Sequence, residues 1–385
     1  MSNSLHLKIK GIFLPLHTTF SQASSVRKEG ESIWCEAWRA EVSGLGEGCP
    51  RTYVTGEDVE SGLHWLSEKL SILEAVCTSL DALESWMLAN RAELDRHPAA
   101  FCAIETALLD LFAKEKNGSV EKLLGLGGPQ GIYTYTGVLG DSNEEKFIAL
   151  AQRYVAAGIN DFKIKVNGDL NRDRKKLVIL QQICNEKGIS NMRIRFDANN
   201  LWTENTNAAI EFLSNLEHPI FGIEEPIEPK NYGELSRISN ALDLPIILDE
   251  SLCSLADLEK LDEVSGRFIA NLKVSRLGGV IRSLEMIKAL KKRGYPIIVG
   301  AHVGETSILT RAGMCISSAV GENLVAHEGG FGLLILEKEP VAPSLMFGAF
   351  GRINLAQPYQ IKTADKVIEV PVEHWDSGWG LKHSQ

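Results

Sequence analysis

The stretch "DFKIKV", residues 161–166, decides the fold. Phe162, Ile164 and Val166 alternate with Lys163 and Lys165, so the pattern predicts a strand whose two lysines share one face. An edge strand with one face in water is the ordinary explanation of such a pair. The alternative is a strand inside a larger sheet, with both ammonium groups aimed into one enclosed space.

Similar short apolar runs recur through the chain and favour the second explanation. They lie at 132–139, 192–198, 221–225, 245–250, 268–274, 296–302 and 324–328. Helical patterns separate them, such as 144–158 and 281–294, which both end at a glycine. Strands that alternate with helices predict right-handed βαβ units and a parallel sheet, and eight units match a closed barrel. An open doubly wound sheet is the alternative, but "TGVLGDSNEE" (136–145) is a poor phosphate-binding turn for that fold.

The first part of the chain has a different pattern. Strand-like runs such as "SIWCEAWRAEVSG" come first, and three helical patterns follow at 56–71, 79–94 and 99–117. We therefore predict an α+β domain at 1–127 and a barrel at 128–351. The strand-like tail, 352–385, is expected to return and complete the first domain.

Composition excludes several classes of protein. The net charge is −10 and the pI about 5.5, and the densest basic run, "RDRKK" (172–176), is interpreted as the solvated start of a helix, so no nucleic-acid partner is expected. No run of 18 apolar residues and no secretory signal occur, so no membrane partner is expected. Seven scattered cysteines without a C-x-x-C pair suit the cytoplasm.

Carboxylates stand at the ends of three consecutive predicted strands: Asp197, Glu224 and Asp249. Each could simply cap the following helix. However, the carboxyl ends of barrel strands meet at one rim, and three carboxylates there would repel one another unless a cation lay between them. Oxygen ligands of this kind select a hard divalent ion, and Mg²⁺ fits best because it leaves positions open for substrate oxygens.

A third lysine, Lys273, ends the sixth predicted strand, whereas Lys163 and Lys165 belong to the second. These strands lie on opposite sides of an eight-stranded barrel, with the three acids between them. A small-molecule carboxylate bound at the metal would therefore have an ammonium group on either face.

These residues resemble a known family. The segments "GEGCPRTYVTGE" (46–57), "AAFCAIETALLDL" (99–111), "KIKV" (163–166), "FDANN" (196–200), "IEEP" (223–226), "LDES" (248–251) and "LKVSRLGG" (272–279) together resemble the enolase superfamily, in particular its muconate-lactonizing-enzyme subgroup. The resemblance covers nearly the whole chain. It implies a modified (β/α)₇β TIM barrel, an N-terminal α+β capping domain, an essential Mg²⁺ and a homo-oligomer.

Residue by residue, the resemblance assigns roles at the rim. Asp197, Glu224 and Asp249 correspond to the metal ligands, and Lys165 and Lys273 to the two acid/base lysines. Lys163 corresponds to the partner that keeps Lys165 in its working state. The shared step of such enzymes is removal of a proton alpha to a carboxylate to give an enediolate. With one lysine on each face, we expect racemisation or epimerisation of a dipeptide or an N-acyl amino acid.

Substrate binding is predicted at Asn199, Glu250, His302, Glu305 and Glu328. Dipeptide epimerases of the family usually carry Asp-x-Asp at the end of the eighth strand, where it grips the substrate ammonium group. Here that strand ends "AHEGG" (326–330), so Glu328 alone could take part of this role.

His302 stands where mandelate-racemase-like members carry a catalytic histidine, but Lys273 occupies the place of its aspartate partner. We therefore interpret His302 as a polar lining or structural residue. Residues 15–30 and the "CPRTYVTG" segment (49–56) are expected to cover the barrel mouth and to influence specificity.

Other functions remain open at this point. An o-succinylbenzoate-synthase-like dehydratase or a muconate-cycloisomerase-like lyase would use the same enediolate. A Schiff-base aldolase would use one barrel lysine as a nucleophile and would not need the three acids. A binding protein without activity on the same fold is a further alternative.

Overall fold

The strand that carries Lys163 and Lys165 lies within a sheet and not at its edge. The computed structural model describes residues 4–22, 25–129, 131–362, 367–370 and 375–384. Asp161–Lys165 pairs in parallel with Gly137–Leu139 on one side and with Arg193–Asp197 on the other. Both lysines are therefore buried because the sheet curls around them, and the edge-strand explanation is wrong.

The N-terminal part contains a three-stranded antiparallel sheet followed by helices. Its elements are β1 (His6–Gln22), β2 (Ser25–Arg39), β3 (Val42–Gly48), α1 (Thr52–Thr55), α2 (Val59–Val76), α3 (Leu80–Ala89), α4 (Arg91–Leu94), α5 (Pro98–Glu115) and α6 (Val120–Leu123). The three predicted helical patterns correspond to α2, to α3 with α4, and to α5.

The barrel follows. Its elements are β4 (Ile132–Thr134), β5 (Gly137–Leu139), α7 (Glu144–Ala156), β6 (Asp161–Lys165), α8 (Leu170–Glu186), β7 (Arg193–Asp197), α9 (Thr206–Ser214), β8 (Ile223–Glu224), α10 (Tyr232–Leu242), β9 (Ile246–Leu248), α11 (Leu255–Leu261), β10 (Phe268–Leu272), α12 (Val274–Leu277), α13 (Val280–Lys292), β11 (Ile297–Val299), α14 (Ser307–Val320) and β12 (Leu324–His327). From β5 onward its strands alternate with helices, with two helices between β10 and β11.

Strands β5 to β12 form one eight-stranded parallel sheet in chain order. The first and last strands meet through a parallel bridge between Tyr135 and His327, where the Thr136 N–H donates to the His327 carbonyl at 2.9 Å. The fold is the predicted (β/α)₇β barrel. The single strand predicted at 132–139 is in fact two, because β4 leaves the barrel to pair with the C-terminal tail.

The tail elements are β13 (Val341–Ala342), β14 (Arg352–Asn354), β15 (Tyr359–Lys362), β16 (Val367–Val370) and β17 (Lys382–His383). Strand β14 pairs with β4. The last part reaches α5, where Trp379 donates from its backbone to Asp110 at 2.7 Å and from its indole to the Thr106 carbonyl at 3.0 Å. The tail thus joins both parts of the chain, and the domain boundaries given above stay a prediction.

The inside of the barrel is divided between an apolar and a charged half. Ile247, Ile269, Ile298 and Ala326, from β9 to β12, form a small separate core. Strands β6 to β8 instead contribute charged side chains. Side chains alternate along a strand, so every second side chain points into the barrel. In β6 to β8 these inward side chains are the charged ones.

One basic side chain is buried against the sequence-based expectation. Lys176, predicted to be solvated within "RDRKK", is 4% exposed. Its ammonium group donates to Asp141 at 2.9 Å, to Asp173 at 2.8 Å and to the Lys165 carbonyl at 2.9 Å. Because these acceptors surround the ammonium group, the charge is tolerated inside, and it fixes the end of β6.

Two further observations concern membrane-spanning helices and the cysteines. Among the helices of the described chain, none has the length and apolar character needed to cross a membrane. All seven cysteines are free thiols, and Cys253 alone among them is partly exposed.

The N-terminal sheet approaches α5 so closely that its glycines cannot carry a side chain. A Cβ atom on Gly46 would lie 2.1 Å from the Ala103 carbonyl oxygen, and Gly44 and Gly48 meet Ala107 and Ala99 in the same way. Helix α5 is buried on nearly every side, as its continuous apolar pattern requires.

We predict that Gly46→Ala destabilises the protein by about 3 kcal/mol, because backbone atoms of α5 cannot move aside. Thermal unfolding measures this. Gly233→Ala in α10 is the matched control, since its Cβ would meet nothing within 4 Å. It should leave the stability unchanged or raise it by about 0.5–1 kcal/mol. An equal loss in both variants would contradict the proposed packing.

Candidate active site

The predicted site residues meet at the carboxyl ends of the barrel strands. Lys165 ends β6, Asp197 ends β7 and Glu224 ends β8, while Asp249 and Lys273 directly follow β9 and β10. All five are at most 8% exposed. Lys165 and Lys273 are four strands apart in the sheet of eight, so they lie on opposite sides of the mouth, as predicted.

Lys163 lies one layer below the mouth and is surrounded by acids. Its Nζ is 3.1 Å from Asp197, 2.7 Å from Glu224 and 3.2 Å from Glu328. Burial alone would lower the pKa of Lys163, but the three carboxylates outweigh it and hold the pKa well above its usual range. Lys163 is therefore a fixed cation that holds two of the predicted metal ligands in place.

Glu328 lies in the interior and is fully paired. One oxygen accepts from Lys163 at 3.2 Å, and the other accepts from Arg195 at 2.7 Å. Arg195 in turn donates to Asp161 at 2.7 Å, at the opposite end of β6 from the mouth. Burial raises the pKa of Glu328, but Lys163 and Arg195 outweigh it and hold it well below the ordinary value. These contacts favour a structural role for Glu328 over the predicted contact with substrate.

The neighbouring His327 points out of the barrel. Its ring contacts Tyr133 and Tyr135 with centroid separations of 5.8 and 5.4 Å, and burial lowers its pKa to about 4. The last strand therefore presents neither His327 nor a free acid to the mouth.

Asp249 is held by two cations. Its carboxylate accepts from Lys273 at 2.6 Å and from the fully buried guanidinium of Arg276, which also donates to the Asn271 carbonyl. Sequence reasoning passed over Arg276, although the spacing in "LKVSRLGG" places it one helical turn after Lys273. That spacing is the signal that could have identified it.

Glu225 fixes the backbone around Asp249. It accepts from the Asp249 N–H at 2.6 Å, and from the Ser251 N–H and hydroxyl at 2.8 Å each. The next acid, Glu250, has a buried Oε2 without a hydrogen-bond partner in the described chain. Burial raises the pKa of Glu250 to about 7.

The three predicted ligands fit a hard divalent ion by their chemistry. They supply only carboxylate oxygens, and Oε2 of Glu224 is buried without a hydrogen-bond partner in the described chain. Their side chains do not converge: within the residues that the structure describes, no three His, Cys, Asp or Glu side chains are placed to hold a metal ion. Lys163 pairs with Asp197 and Glu224, whereas Lys273 and Arg276 pair with Asp249.

Lys165 has the environment of a base. Its Nζ donates to Asn199 Oδ1 at 2.8 Å, and Asn199 has a left-handed backbone (φ 45°) that turns its side chain back toward the strand end. Burial lowers the pKa of Lys165, Lys163 and Lys273 lower it further, and Asp197 at 3.7 Å opposes them. Burial is the largest cause of the lowered pKa of Lys165, ahead of the neighbouring lysine.

His302 and Glu305 occupy the loop after β11. Glu305 folds back within this loop, and its carboxylate accepts from the His302 N–H at 2.8 Å. Burial raises the pKa of Glu305 to about 8, and the charge of Lys273 opposes the rise. Both residues are thus near the mouth, where they were predicted, and their contact with a substrate stays a prediction.

The β1–β2 hairpin contacts loops at the same end of the barrel. Leu16 forms a bridge with Leu336, and the His17 N–H donates to the Ile335 carbonyl at 2.9 Å. The described residues do not include 23 and 24 or the side chains of 18–27. The contacts of Leu16 and His17 therefore support the covering role predicted for 15–30 only at the base of the hairpin.

Comparison with known proteins agrees with this geometry. Residues 146–347 match the family model described as enolase C-terminal domain-like. The L-Ala-D/L-Glu epimerase of Francisella tularensis subsp. novicida is 26% identical over 323 residues, which cover 83% of this chain and 89% of that protein. The N-succinyl-L-Arg/Lys racemase of Bacillus cereus is 26% identical over 316 residues, 81% of this chain and 83% of the relative.

Solved structures share the whole architecture. The structure of the Bacillus cereus racemase has a TM-score of 0.79 at 23% identity and covers 100% of this chain and 96% of that chain. A dipeptide epimerase from Enterococcus faecalis, complexed with Mg and L-Leu-L-Tyr, has a TM-score of 0.77 at 21% identity, over 99% of this chain and 100% of that chain. At these identities the likeness establishes the fold.

The buried carboxyl of Glu305 predicts a pH effect on stability. Its pKa rises from 4.5 to about 8 on folding, so the folded state binds a proton more tightly than the unfolded chain between these values. The contribution of Glu305 to the free energy of unfolding should therefore fall as the pH rises from about 4.5 to about 8, by about 1.4 kcal/mol for each unit. Glu305→Gln removes this dependence.

Urea unfolding of the wild type and Glu305→Gln at pH 5, 6.5 and 8 measures the difference. The variant should gain stability relative to the wild type as the pH rises. A constant difference across this range would mean that Glu305 is ionised in the folded protein throughout.

Proposed function

The chain belongs to the enolase C-terminal domain-like family, and on this premise we propose that it is a Mg²⁺-dependent racemase or epimerase. It moves the proton alpha to the carboxylate of an amino-acid derivative, either a dipeptide or an N-acyl amino acid. The observation that carries the proposal is the pair Lys165 and Lys273, which lie on opposite sides of one mouth with three strand-end carboxylates between them.

Asp197, Glu224 and Asp249 are the proposed metal ligands. These residues would hold Mg²⁺, which would supply Lewis-acid stabilisation of the negative charge that develops on the substrate carboxylate. The protein's part is to hold the ligands in place: Lys163 fixes Asp197 and Glu224 from below, and Glu225 fixes the Asp249 backbone.

The two lysines carry the proton. Since burial lowers the pKa of Lys165, a larger fraction of its amine is neutral near pH 7 than for an exposed lysine, which makes it a better base. Asn199 accepts a hydrogen bond from its Nζ and so orients it. Lys273 acts on the opposite face. One lysine removes the alpha proton and the other returns a proton from its own side, which inverts the configuration of the alpha carbon.

The metal site predicts a defined loss of function. Asp197→Asn, Glu224→Gln and Asp249→Asn should each weaken Mg²⁺ binding by more than about 100-fold, which exceeds the usual cost of losing an outer-shell partner. Isothermal titration with Mg²⁺ and activity assays measure this, and EDTA should abolish wild-type activity until Mg²⁺ is restored. Glu285→Gln, on the outside of α13, is the control and should bind and react normally. An active enzyme after exhaustive EDTA treatment would overturn the metal assignment.

The two-lysine arrangement predicts stereochemistry. Lys165→Ala and Lys273→Ala should each lose net racemisation by about 100- to 10,000-fold. Each variant should still exchange the alpha proton of one enantiomer in D₂O, because the remaining lysine can remove and return a proton on its own face. The two variants should exchange opposite enantiomers, as read by mass spectrometry and chiral chromatography.

Racemisation that persists at a near-normal rate in Lys273→Ala would contradict the two-base reading. Elimination or cycloisomerisation with one essential base would then be the better account. Lys163 is unsuited to this test, because Lys163→Ala would leave Asp197, Glu224 and Glu328 without their shared cation and would destabilise the fold itself.

A further inference from the structure

The segment 47–51, which runs from the end of β3 to the start of α1, contacts the loops that carry the site residues. Every second residue of the segment makes such a contact. Glu47 binds Thr306, the Cys49 N–H donates to the Ser275 hydroxyl at 2.7 Å, and Arg51 donates to the Val303 carbonyl at 2.7 Å. Ser275 lies two residues after Lys273, and Val303 and Thr306 flank Glu305.

Glu47 is the firmest of these contacts. It is fully buried, and both of its oxygens accept from the Thr306 N–H at 3.1 Å. The Thr306 hydroxyl donates to the same carboxylate at 2.6 Å, and the Ser32 hydroxyl donates from β2 at 2.8 Å. The carboxylate therefore ties the N-terminal sheet to Thr306, the residue that caps the start of α14.

Arg51 connects the hairpin to the same loop. Its guanidinium is 2% exposed and donates to the carbonyls of Glu31, at 3.1 Å, and Val303, at 2.7 Å. Beside it, Gly30 of the hairpin lies against Gly304: a Cβ on Gly304 would be 2.5 Å from the Gly30 Cα. The hairpin and the loop are therefore packed directly against each other.

Glu305 and its neighbours in the loop have different contacts. Val303, Gly304 and Thr306 are held by the N-terminal part, whereas the side chain of Glu305 folds within the loop to the His302 N–H. The position of His302 and Glu305 at the mouth is thus set from outside the barrel.

We propose that Glu47 and Arg51 are positioning residues that hold the 302–306 loop in register with the β1–β2 hairpin and thereby set how tightly substrate binds. Neither side chain reaches the reacting atoms. Their loss should loosen the loop and weaken substrate binding, while the lysines and the metal ligands stay in place. The substrate part of this inference rests on the proposed function.

The test compares Glu47→Gln and Arg51→Gln with Glu105→Gln. Glu105 is a matched control, because it is also a fully buried carboxylate of the N-terminal part at the start of a barrel helix. It accepts from the N–H groups of Val280 and Ile281 at 3.1 and 2.7 Å, away from the 302–306 loop. Amide hydrogen exchange of peptides covering 300–306 and steady-state kinetics are measured for all three.

Glu47→Gln and Arg51→Gln should speed exchange in 300–306 and raise KM about 10-fold, the size expected for one lost buried hydrogen bond, with kcat within about 3-fold of wild type. Glu105→Gln should leave both unchanged. Arg51→Lys keeps the charge but lacks the planar guanidinium whose two terminal nitrogens reach the Glu31 and Val303 carbonyls, so it should behave like Arg51→Gln. If Glu47→Gln does not fold, Ser32→Ala takes its place in the test, because this variant removes one hydrogen bond to the same carboxylate.

Unchanged exchange in 300–306 would overturn the inference without bearing on the catalytic activity, because exchange needs no substrate. Faster exchange with an unchanged KM would overturn the link to substrate binding. An equal rise in KM in Glu105→Gln would show a general effect of weakened domain contact. Wild-type exchange and a wild-type KM in Arg51→Lys would show that the charge of residue 51 matters and not the bridge between the two carbonyls.

Discussion

The pairing of Lys163 with three carboxylates is the interaction on which the rest of the structure depends. An ammonium group inside a barrel costs several kcal/mol unless acids compensate it. Asp197, Glu224 and Glu328 do so from three different strands, and Arg195 balances the additional negative charge from below. The same requirement explains why charged side chains fill one half of the barrel, where an apolar core would otherwise be expected. The apolar half, from β9 to β12, provides the ordinary packing.

A second set of buried carboxylates joins the two parts of the chain. Glu47 and Glu105 both belong to the N-terminal part, and both accept hydrogen bonds from the first turns of barrel helices, α14 and α13. Such groups satisfy N–H donors that a helix leaves unpaired, and the positive end of the helix dipole favours them. Apolar side chains of both parts also share one core, so the interface combines apolar packing with directional polar contacts.

Regular spacing is what made the barrel and the rim acids predictable. Strand and helix periods are local, and one acid per strand–helix unit places Asp197, Glu224 and Asp249 at one rim without knowledge of any contact. Glu47 lies 259 residues from Thr306, and no local pattern marks that contact. The pairing of Glu328 with Arg195 could not be read from the sequence for a related reason, since the sequence alone does not tell which acid a buried arginine selects. The same limit applies to Lys176, whose acceptors lie in three different elements.

The contacts of Lys163 also explain why burial, and not the neighbouring ammonium group, lowers the pKa of Lys165 most. Three carboxylates surround Lys163, and their negative charges partly cancel the electrostatic field of its ammonium group at Lys165. Asp197 acts on both lysines, at 3.1 Å from Lys163 and 3.7 Å from Lys165, and it opposes the fall in the pKa of Lys165. Any cation that takes up the negative charge of Asp197 would weaken this opposition and leave burial and the two other lysines to act. The reactivity of Lys165 is therefore set jointly by its enclosure in the barrel and by what Asp197 binds.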